Sequence, residues 1–492
     1  MSSPQSTSDH NGTKFEPSSK QRPGIKSHAV KSSEPILEDG SLTLEAIREW
    51  ENKAAQDPKV QLARTVFVNT NFKDALVSRD TRVVDPYVFN LLLDFKPDQI
   101  ADQKSTGRCW LFAATNVWRY SFMQELGLKE FQPSQSYLFF WDKLNRCNYY
   151  LEWFIKTADL PLDNRLMNFM TDDILTDVGQ WDLAINLLEM YGIVPQSIYP
   201  ESVSSSSSYN ISKLLKPKVL EDGLTLRRLV SSLRGTVSED VLLNSARRKK
   251  EELMAENWNI LTTLFGVPPM PTENFTWEYY DKDGRAKAWN GTSLEFYRTI
   301  PANAYPVNTW ISLVNDPRNE YKKLLTVERF NNVIGGRRVL HINTNIDDLK
   351  TAVVNTLKSG QPVYVGCDIH QYSDQKSGIL DIDYFRSGFA KAFNVSLNLT
   401  KAEWLQMNHS RPSHAMIITG AHIDPITGKA TRYKAETSWQ TEKLKNGFHV
   451  LTDAWFDEFV YQVVVPKSLV RDDLVKVFEE GETIVLPPWD QL

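Results

Sequence analysis

The stretch Asp102-Gln-Lys-Ser-Thr-Gly-Arg-Cys-Trp-Leu-Phe-Ala-Ala-Thr115 decides the fold of this chain, because a glycine turn delivers Cys109 to the start of a long apolar run. Apolar residues recur at helical spacing as far as Phe122, which predicts a buried helix. The first turn of a helix offers unpaired backbone N–H groups and the positive end of the helix dipole. Both lower the pKa of a thiol from its usual value of about 8.5. We therefore expect Cys109 to act as a thiolate nucleophile.

Acyl transfer at a cysteine also needs hydrogen-bond donors for the oxyanion that forms on the substrate. The backbone N–H of Cys109 can supply one donor, and the side-chain amide of Gln103 can supply another. An uncharged donor suits this position, because a cation there would compete for the thiolate. The alternatives are an inert buried cysteine and a glutamine on a surface loop.

The rest of the chain divides into segments that differ in composition and in hydrophobic pattern. Residues 180–192 predict a second helix that ends at Gly192, and residues 211–265 are helical and charged. From residue 338 onward, short β-rich runs alternate with turns. The predicted organisation is a disordered tail (1–40), a helical half with Cys109 (41–200), an inserted helical or hook-like region (201–335), a β half with His414 (336–480) and a C-terminal arm (481–492).

Composition excludes several classes of protein. The 492 residues carry a net charge of −5, which gives no general attraction to nucleic acid or anionic membranes. Three cysteines, Cys109, Cys147 and Cys367, are too few for a disulfide framework, and they indicate a reducing compartment. The N-terminal residues have neither a secretory nor a clear mitochondrial pattern, so we expect a cytoplasmic protein without a membrane span. We expect no metal site and no cofactor.

Several motifs resemble those of the bleomycin hydrolase family, which are papain-related cysteine aminopeptidases. Gln103 and the segment Thr106-Gly-Arg-Cys-Trp-Leu-Phe-Ala113 resemble the active-site segment of that family. The resemblance covers most of the chain from about residue 45, through Gly179-Gln-Trp-Asp182, Phe275-Thr-Trp-Glu-Tyr279, Gly366-Cys-Asp368, Ser413-His-Ala-Met416, Ala435-Glu-Thr-Ser-Trp439 and Ile484-Val-Leu-Pro-Pro-Trp-Asp490.

The resemblance implies an α+β fold with a papain-like two-lobed core, one half helical and the other resembling a β-barrel, and a large helical or hook insertion. It implies Cys109 as the nucleophile, His414 as the base and Gln103 in the oxyanion hole, with Gly179 and Trp439 binding substrate. Cys109 and His414 lie 305 positions apart, about 160 more than in most papain relatives, so the insertion must lie between them.

The resemblance also implies partners and substrates. The family forms homohexamers and cleaves peptide N-termini, the amide of bleomycin and homocysteine thiolactone, with no cofactor. Its central channel can be basic and bind nucleic acid, and Arg227-Arg228 with Arg247-Arg-Lys-Lys250 form a basic cluster here. A solvated helix face is the more common explanation of such a cluster. Packing roles are expected for Cys147 and Cys367, and surface or core roles for His409, His422 and His449.

Three positions depart from the family pattern. Thr437 stands where the family has the asparagine that orients the imidazole, so it either replaces that contact through its hydroxyl or is a spectator. Losing the contact would slow the enzyme roughly 10- to 150-fold. Val178 replaces a glycine and is expected to narrow the cleft. Only Gln491 and Leu492 follow Asp490, which would leave the terminal carboxylate about 13 Å short of its position in the family.

A different class of function remains open at this point. The three departures are also compatible with a catalytically weak or inactive homologue. Such a protein would act as a hexameric binding or scaffold protein, with single-stranded nucleic acid as its partner.

Overall fold

The computed structural model describes residues 40–84, 87–94, 97, 99–172, 174–299, 306–374, 377–439 and 447–492. The tail predicted at 1–40 therefore lies outside the described residues, apart from Gly40. The chain divides into two compact units, Met1–Thr65 and Val66–Leu492. In the first unit, Thr43 caps the helix Leu44–Ala55 by accepting a hydrogen bond from the backbone N–H of Ala46.

The helices and strands of the described residues are numbered in chain order. The helices are α1 (Leu44–Ala55), α2 (Pro58–Phe67), α3 (Phe72–Ala75), α4 (Arg79–Val84), α5 (Cys109–Leu126), α6 (Gln135–Lys156), α7 (Arg165–Asp172), α8 (Trp181–Tyr191), α9 (Ser208–Leu233), α10 (Glu239–Phe265), α11 (Ser293–Arg298), α12 (Ile346–Lys358), α13 (Asp383–Phe393), α14 (Lys401–Gln406), α15 (Asp453–Phe459) and α16 (Asp472–Glu480). The strands are β1 (Leu91–Leu92), β2 (Asn274–Tyr280), β3 (Ala286–Thr292), β4 (Trp310–Val314), β5 (Lys323–Val327), β6 (His341–Asn343), β7 (Val363–Cys367), β8 (Ser373–Asp374), β9 (Ile379–Leu380), β10 (His414–Ile423), β11 (Ala430–Glu436), β12 (Phe448–Thr452), β13 (Val460–Pro466) and β14 (Thr483–Leu486). Within those ranges, none of the helices has the length and apolar content needed to traverse a bilayer.

Helix α5 contains Cys109 and the apolar run that follows it, and it is buried along almost its whole length. Apolar residues cover all sides of it, as expected for a helix enclosed by a core. It ends at Gly127, whose left-handed conformation (φ 61°) closes the helix. The predicted helix after Cys109 is confirmed, and α5 packs against β10, the strand that begins at His414.

Most of the strands form one twelve-stranded mixed sheet in the order β14-β5-β6-β4-β13-β7-β10-β11-β12-β9-β8, with β1 paired to β10. The β-rich runs predicted after residue 338 are confirmed as β6, β7 and β10 to β13. Strands β4 and β5 also belong to this sheet, where β4 pairs with β13 and β5 pairs with β6. Their residues fall in the stretch predicted as an insertion. Sheet and helices together give the mixed α and β fold that the sequence predicted.

Two long helices, α9 and α10, supply most of the helical residues of the predicted insertion and pack against α6. Gly223 allows close contact, because a Cβ there would lie 2.4 Å from the ring of Phe154. Much of the basic cluster is used in this packing. Glu152 of α6, buried beneath α10, pairs with Arg247 and with Lys250 at 2.6 Å each. These cations thus join helices, which leaves a smaller basic surface than the sequence suggested.

Buried histidines make the stability of this fold depend on pH. His341 of β6 is fully buried, with Nδ1 at 2.7 Å from the hydroxyl of Ser312, and burial lowers its pKa to about 4. Between pH 6.5 and about pH 4 this imidazole is therefore protonated in the unfolded chain but neutral in the folded chain. The free energy of unfolding falls as the pH is lowered through this range. By pH 5 the loss from His341 is roughly 2 kcal/mol.

We expect the variant His341→Gln to lose less unfolding free energy than the wild type when the pH falls from 7 to 5, because it has no imidazole to protonate. Urea unfolding at both pH values measures the difference. The matched control is His409→Gln, which removes an exposed imidazole. Identical pH dependence in the wild type and His341→Gln would contradict this account of the buried ring.

Candidate active site

Cys109 lies at the first position of α5 and is half-buried at the edge of the helical core. The turn before it needs a glycine, because a Cβ at Gly107 would lie 2.7 Å from the Cβ of Asp177. The backbone N–H of Gly107 donates to Asp177 at 3.1 Å, which fixes the turn. The backbone N–H groups of Ala415, Trp110 and Cys109 lie near the sulfur and act to lower its pKa. The thiol therefore faces an arrangement of donors from both halves of the chain.

Burial and backbone donors act in opposite directions on the Cys109 thiol. Burial raises its pKa, the three N–H donors lower it, and burial has the larger effect. The expected lowering of the thiol pKa is therefore wrong for this side chain taken alone. The donors are present as the sequence predicted, but the sequence could not show how completely the sulfur is desolvated.

His414 begins β10 and faces the same cavity as Cys109. Its Nε2 lies 3.1 Å from the hydroxyl of Thr437, so a hydrogen bond joins the two. The ring of Trp439 packs on the imidazole with a centroid distance of 4.4 Å. Burial, together with the nearby His449 and His370, lowers the pKa of His414 to about 3. The imidazole is therefore neutral in the cavity at pH 7, with Nδ1 left for another partner.

Gln103 is held by hydrogen bonds at both ends of its side-chain amide. Its Oε1 accepts from the hydroxyl of Ser438 at 2.5 Å, and its Nε2 donates to the backbone O of Thr106 at 2.6 Å. The backbone N–H of Gln103 also donates to the carbonyl of Ser438 at 2.9 Å. These bonds fix which end of the amide is the donor. One N–H of Nε2 is left beyond the bond to Thr106.

Gly179 passes directly over the indole ring of Trp110. A Cβ at Gly179 would lie 2.4 Å from that ring, so only glycine fits here. The indole N–H donates to the carbonyl of Asp177 at 2.6 Å, and Arg146 donates to the carbonyl of Val178 at 2.7 Å. Val178 is 56% exposed and lines the cavity.

A single cavity of about 190 Å³ brings together most of the residues that the sequence singled out. Its walls include Gln103, Cys109, Gly179, His414 and Trp439. Thr437 is not among the residues that line this cavity. It is linked to the site by its hydrogen bond to the imidazole of His414. A thiol, a neutral imidazole with a hydrogen-bonded partner and an oriented amide donor are the groups that acyl transfer to sulfur requires.

A family model described as the Peptidase C1-like family matches residues 41–492. The chain belongs to this family. It is 36% identical to human bleomycin hydrolase over 463 residues, covering 93% of this chain and 99% of the relative. It is 35% identical to mitochondrial cysteine proteinase 1 of Saccharomyces cerevisiae strain ATCC 204508 / S288c over 478 residues, covering 95% and 96% respectively.

A solved structure agrees with the family assignment. PepW from Lactobacillus rhamnosis HN001 superimposes with a TM-score of 0.85 at 34% identity, covering 92% of this chain and 99% of PepW. The expected papain-like fold is confirmed. The expected enzyme class is also confirmed, because members of the Peptidase C1-like family are cysteine peptidases, here of the aminopeptidase type.

Sequence reasoning missed two contributors to this Peptidase C1-like site. Ser438 orients Gln103, although only its neighbours Thr437 and Trp439 were singled out. His370 lines the cavity and acts on His414 through its charge. The signal for Ser438 was present, since a hydroxyl inside the quoted Thr437-Ser-Trp439 segment can orient an amide. Nothing in the sequence around His370 marked it.

The remaining cysteines have the packing role that the sequence predicted. Cys147 and Cys367 are fully buried, and burial raises the pKa of Cys147 to about 12 and that of Cys367 well above its usual range. His449 is also buried, with Nδ1 at 3.3 Å from the carbonyl of Gly378. Of the three cysteines in this chain, Cys109 is therefore the least buried.

The C-terminal arm is anchored beside the site. Asp490 pairs with Arg318 at 2.8 Å, and the guanidinium of Arg165 lies 3.8 Å from the ring centre of Trp489. Leu492 is buried among apolar residues of β4, β5 and β14. It lines a second cavity and is not among the residues that line the cavity of Cys109.

Proposed function

We propose that this chain is a cysteine aminopeptidase in which Cys109 is the nucleophile, His414 the base and Gln103 an oxyanion donor. One observation carries the proposal. The side chains of Cys109 and His414 line one cavity, together with Ala415, whose backbone N–H acts to lower the pKa of the thiol. Because Nε2 of His414 is bonded to Thr437, Nδ1 is the nitrogen available to the thiol.

Acylation begins as the Cys109 thiol gives its proton to Nδ1 of His414 and the sulfur attacks the substrate carbonyl carbon. Burial disfavours each charge separately, so proton transfer accompanies attack and neither charge stands alone in the cavity. The backbone N–H of Cys109 and Nε2 of Gln103 donate to the resulting oxyanion. The C–N bond then breaks, the imidazolium protonates the leaving amine, and an acyl thioester remains.

Deacylation uses the same groups with water as the nucleophile. His414 takes a proton from water as the oxygen attacks the thioester carbon. The C–S bond breaks, and the sulfur recovers the proton from the imidazolium. The carboxylic acid leaves and the enzyme returns to its starting protonation state. No metal or cofactor takes part in these proposed steps.

The proposed substrates are peptides with a free N-terminus and related amides. The names of the human, rat and mouse relatives point to bleomycin as one amide substrate. Homocysteine thiolactone is a further proposed substrate, because it is a cyclic thioester with a free amine and a carbonyl more reactive than that of an amide. Hydrolysis of fluorogenic aminoacyl amides with and without N-acetylation tests the proposal. We expect cleavage of the free amines and at least tenfold weaker cleavage of the acetylated forms. Equal cleavage of both would overturn the aminopeptidase assignment.

Thr437 is expected to limit the rate, because a hydroxyl can either accept from Nε2–H or donate to a bare Nε2. When it donates, the ring proton moves to Nδ1 and the imidazole cannot act as a base. An asparagine carbonyl can only accept, which enforces the productive tautomer. We expect Thr437→Asn to raise kcat about 10- to 100-fold, from roughly 1.5–3 kcal/mol of hydrogen-bond energy.

The isosteric variant Thr437→Val is the matched control, since it removes the hydroxyl without changing the volume much. We expect it to lower kcat about tenfold, and thermal melting checks that both variants fold. If neither substitution changes kcat by more than twofold, Thr437 is a spectator and the present account of the imidazole is wrong.

Assembly and location are also proposals. A homohexamer is the proposed assembly and the cytoplasm the proposed location, and the name of the yeast relative offers the mitochondrion as the alternative. A scaffold for single-stranded nucleic acid is the less favoured function, because Arg247 and Lys250 of the basic cluster are paired with Glu152. Cys109-dependent turnover separates the enzyme from the scaffold.

A further inference from the structure

A second cavity, of about 270 Å³, adjoins the cavity of Cys109. The two share part of their walls, namely the segment 178–180 with Pro412 and Ser413. Six aromatic residues line the second cavity, and one of them is Phe330. The other five define what we call the aromatic chamber: Tyr149, Tyr150, Trp153, Phe169 and Trp489.

Two rings of the aromatic chamber contact Arg329, which also lines the cavity. The guanidinium of Arg329 lies 4.0 Å from the ring centre of Trp153, and the hydroxyl of Tyr149 donates to the carbonyl of Arg329 at 3.1 Å. Phe169 meets Trp489 edge to face, with ring centres 6.4 Å apart. Supports of this kind preorganise a wall for stacking and reduce the entropy lost on binding.

The aromatic chamber is open, unlike the aromatic clusters of the core. Phe169 remains 37% exposed, and Tyr150, Trp153 and Trp489 are partly exposed. Apolar aromatic surface left uncovered beside a reactive group marks a binding site, because exposing it costs free energy that a ligand recovers.

The position of the aromatic chamber indicates which part of a substrate it takes. The reacting amide has to fit the cavity of about 190 Å³ around Cys109. A bulky side chain on the acyl residue therefore needs the adjoining space, which it reaches across Gly179 and Pro412. In an aminopeptidase the acyl residue is the N-terminal residue of the substrate.

We propose that the aromatic chamber is the specificity site of this enzyme and that it binds aromatic side chains of the N-terminal substrate residue. This inference rests on the proposed aminopeptidase function and names its preferred substrate class. Trp153 and Phe169 are the specificity-determining residues, because one presents an indole fixed by Arg329 and the other an exposed ring at the wall.

Fluorogenic amides of phenylalanine, tryptophan and alanine test the inference. We expect the wild type to cleave the two aromatic amides with a kcat/KM about tenfold or more above that of the alanyl amide. In Trp153→Ala and Phe169→Ala this ratio should fall to within threefold, mainly through a higher KM for the aromatic amides. Tyr280→Ala, which truncates a ring that is 73% exposed on the β2–β3 hairpin, should keep the wild-type ratio.

The outcomes separate this inference from the proposed function. A folded Phe169→Ala enzyme that retains the full aromatic preference, or a wild type without that preference, would overturn the specificity site. Loss of Cys109-dependent turnover with every amide would instead overturn the proposed function. In that case calorimetry on Cys109→Ala still tests the chamber, through at least tenfold tighter binding of phenylalanyl amide than of alanyl amide. Equal affinity for the two would refute it.

Discussion

Replacing Cys109 with alanine is expected to lower kcat/KM for aminoacyl amides by about 10⁴-fold or more. Cys109 is the only thiol among the described residues that line its cavity. Ser413, another lining residue, donates its hydroxyl to Asp368 at 3.0 Å and is held away from the role of nucleophile. The measurement is the steady-state rate of fluorogenic amide hydrolysis at pH 7 over a range of enzyme concentrations.

The control for Cys109→Ala is Cys147→Ala, which removes a fully buried thiol of the helical core. That variant should keep kcat within twofold, although its melting temperature will fall because a small cavity is created. Residual turnover by Cys109→Ala within tenfold of the wild type would mean that a different group performs the chemistry.

Removing the side-chain amide of Gln103 is expected to lower kcat about 10²- to 10³-fold with little change in KM. The loss falls on kcat because the Nε2–H bond to the oxyanion forms fully only in the transition state. Gln103→Ala should still fold, since the backbone bond from Gln103 to the carbonyl of Ser438 remains.

Ser438→Ala gives an independent measure of this geometry. The serine hydroxyl binds Oε1 of Gln103 and so fixes which end of the amide faces the cavity. Without it the amide can rotate, and we expect kcat to fall about tenfold. Lys104→Ala is the control, because it removes only an exposed ion pair with Asp102. A kcat for Gln103→Ala within threefold of the wild type would remove Gln103 from the oxyanion hole.

The sequence predicted the elements that are specified locally. The helix after Cys109 follows from the spacing of its apolar residues, and β10 and β13 follow from continuous runs of β-forming residues. It did not predict the order of the sheet. Strand β14 pairs with β5, far earlier in the chain, and such pairings depend on packing that no local pattern records.

The same distinction holds for the site. Cys109, His414 and Gln103 could be singled out because each lies in a short motif of recognisable chemistry. The sign of the thiol pKa shift could not, since it depends on how far α5 and β10 together exclude water from the sulfur. The aromatic chamber was missed because its rings come from α6, α7 and the C-terminal arm, which meet only in three dimensions.

The central claim is that the Cys109 sulfur reacts through the imidazole of His414. Titration with a thiol-directed epoxide, followed by peptide mass spectrometry, tests it most directly in the wild type and in His414→Ala. We expect one equivalent bound at Cys109, none at Cys147 or Cys367, and a rate about 100-fold slower in His414→Ala. An unmodified Cys109, or equal rates with and without the imidazole, would contradict the account.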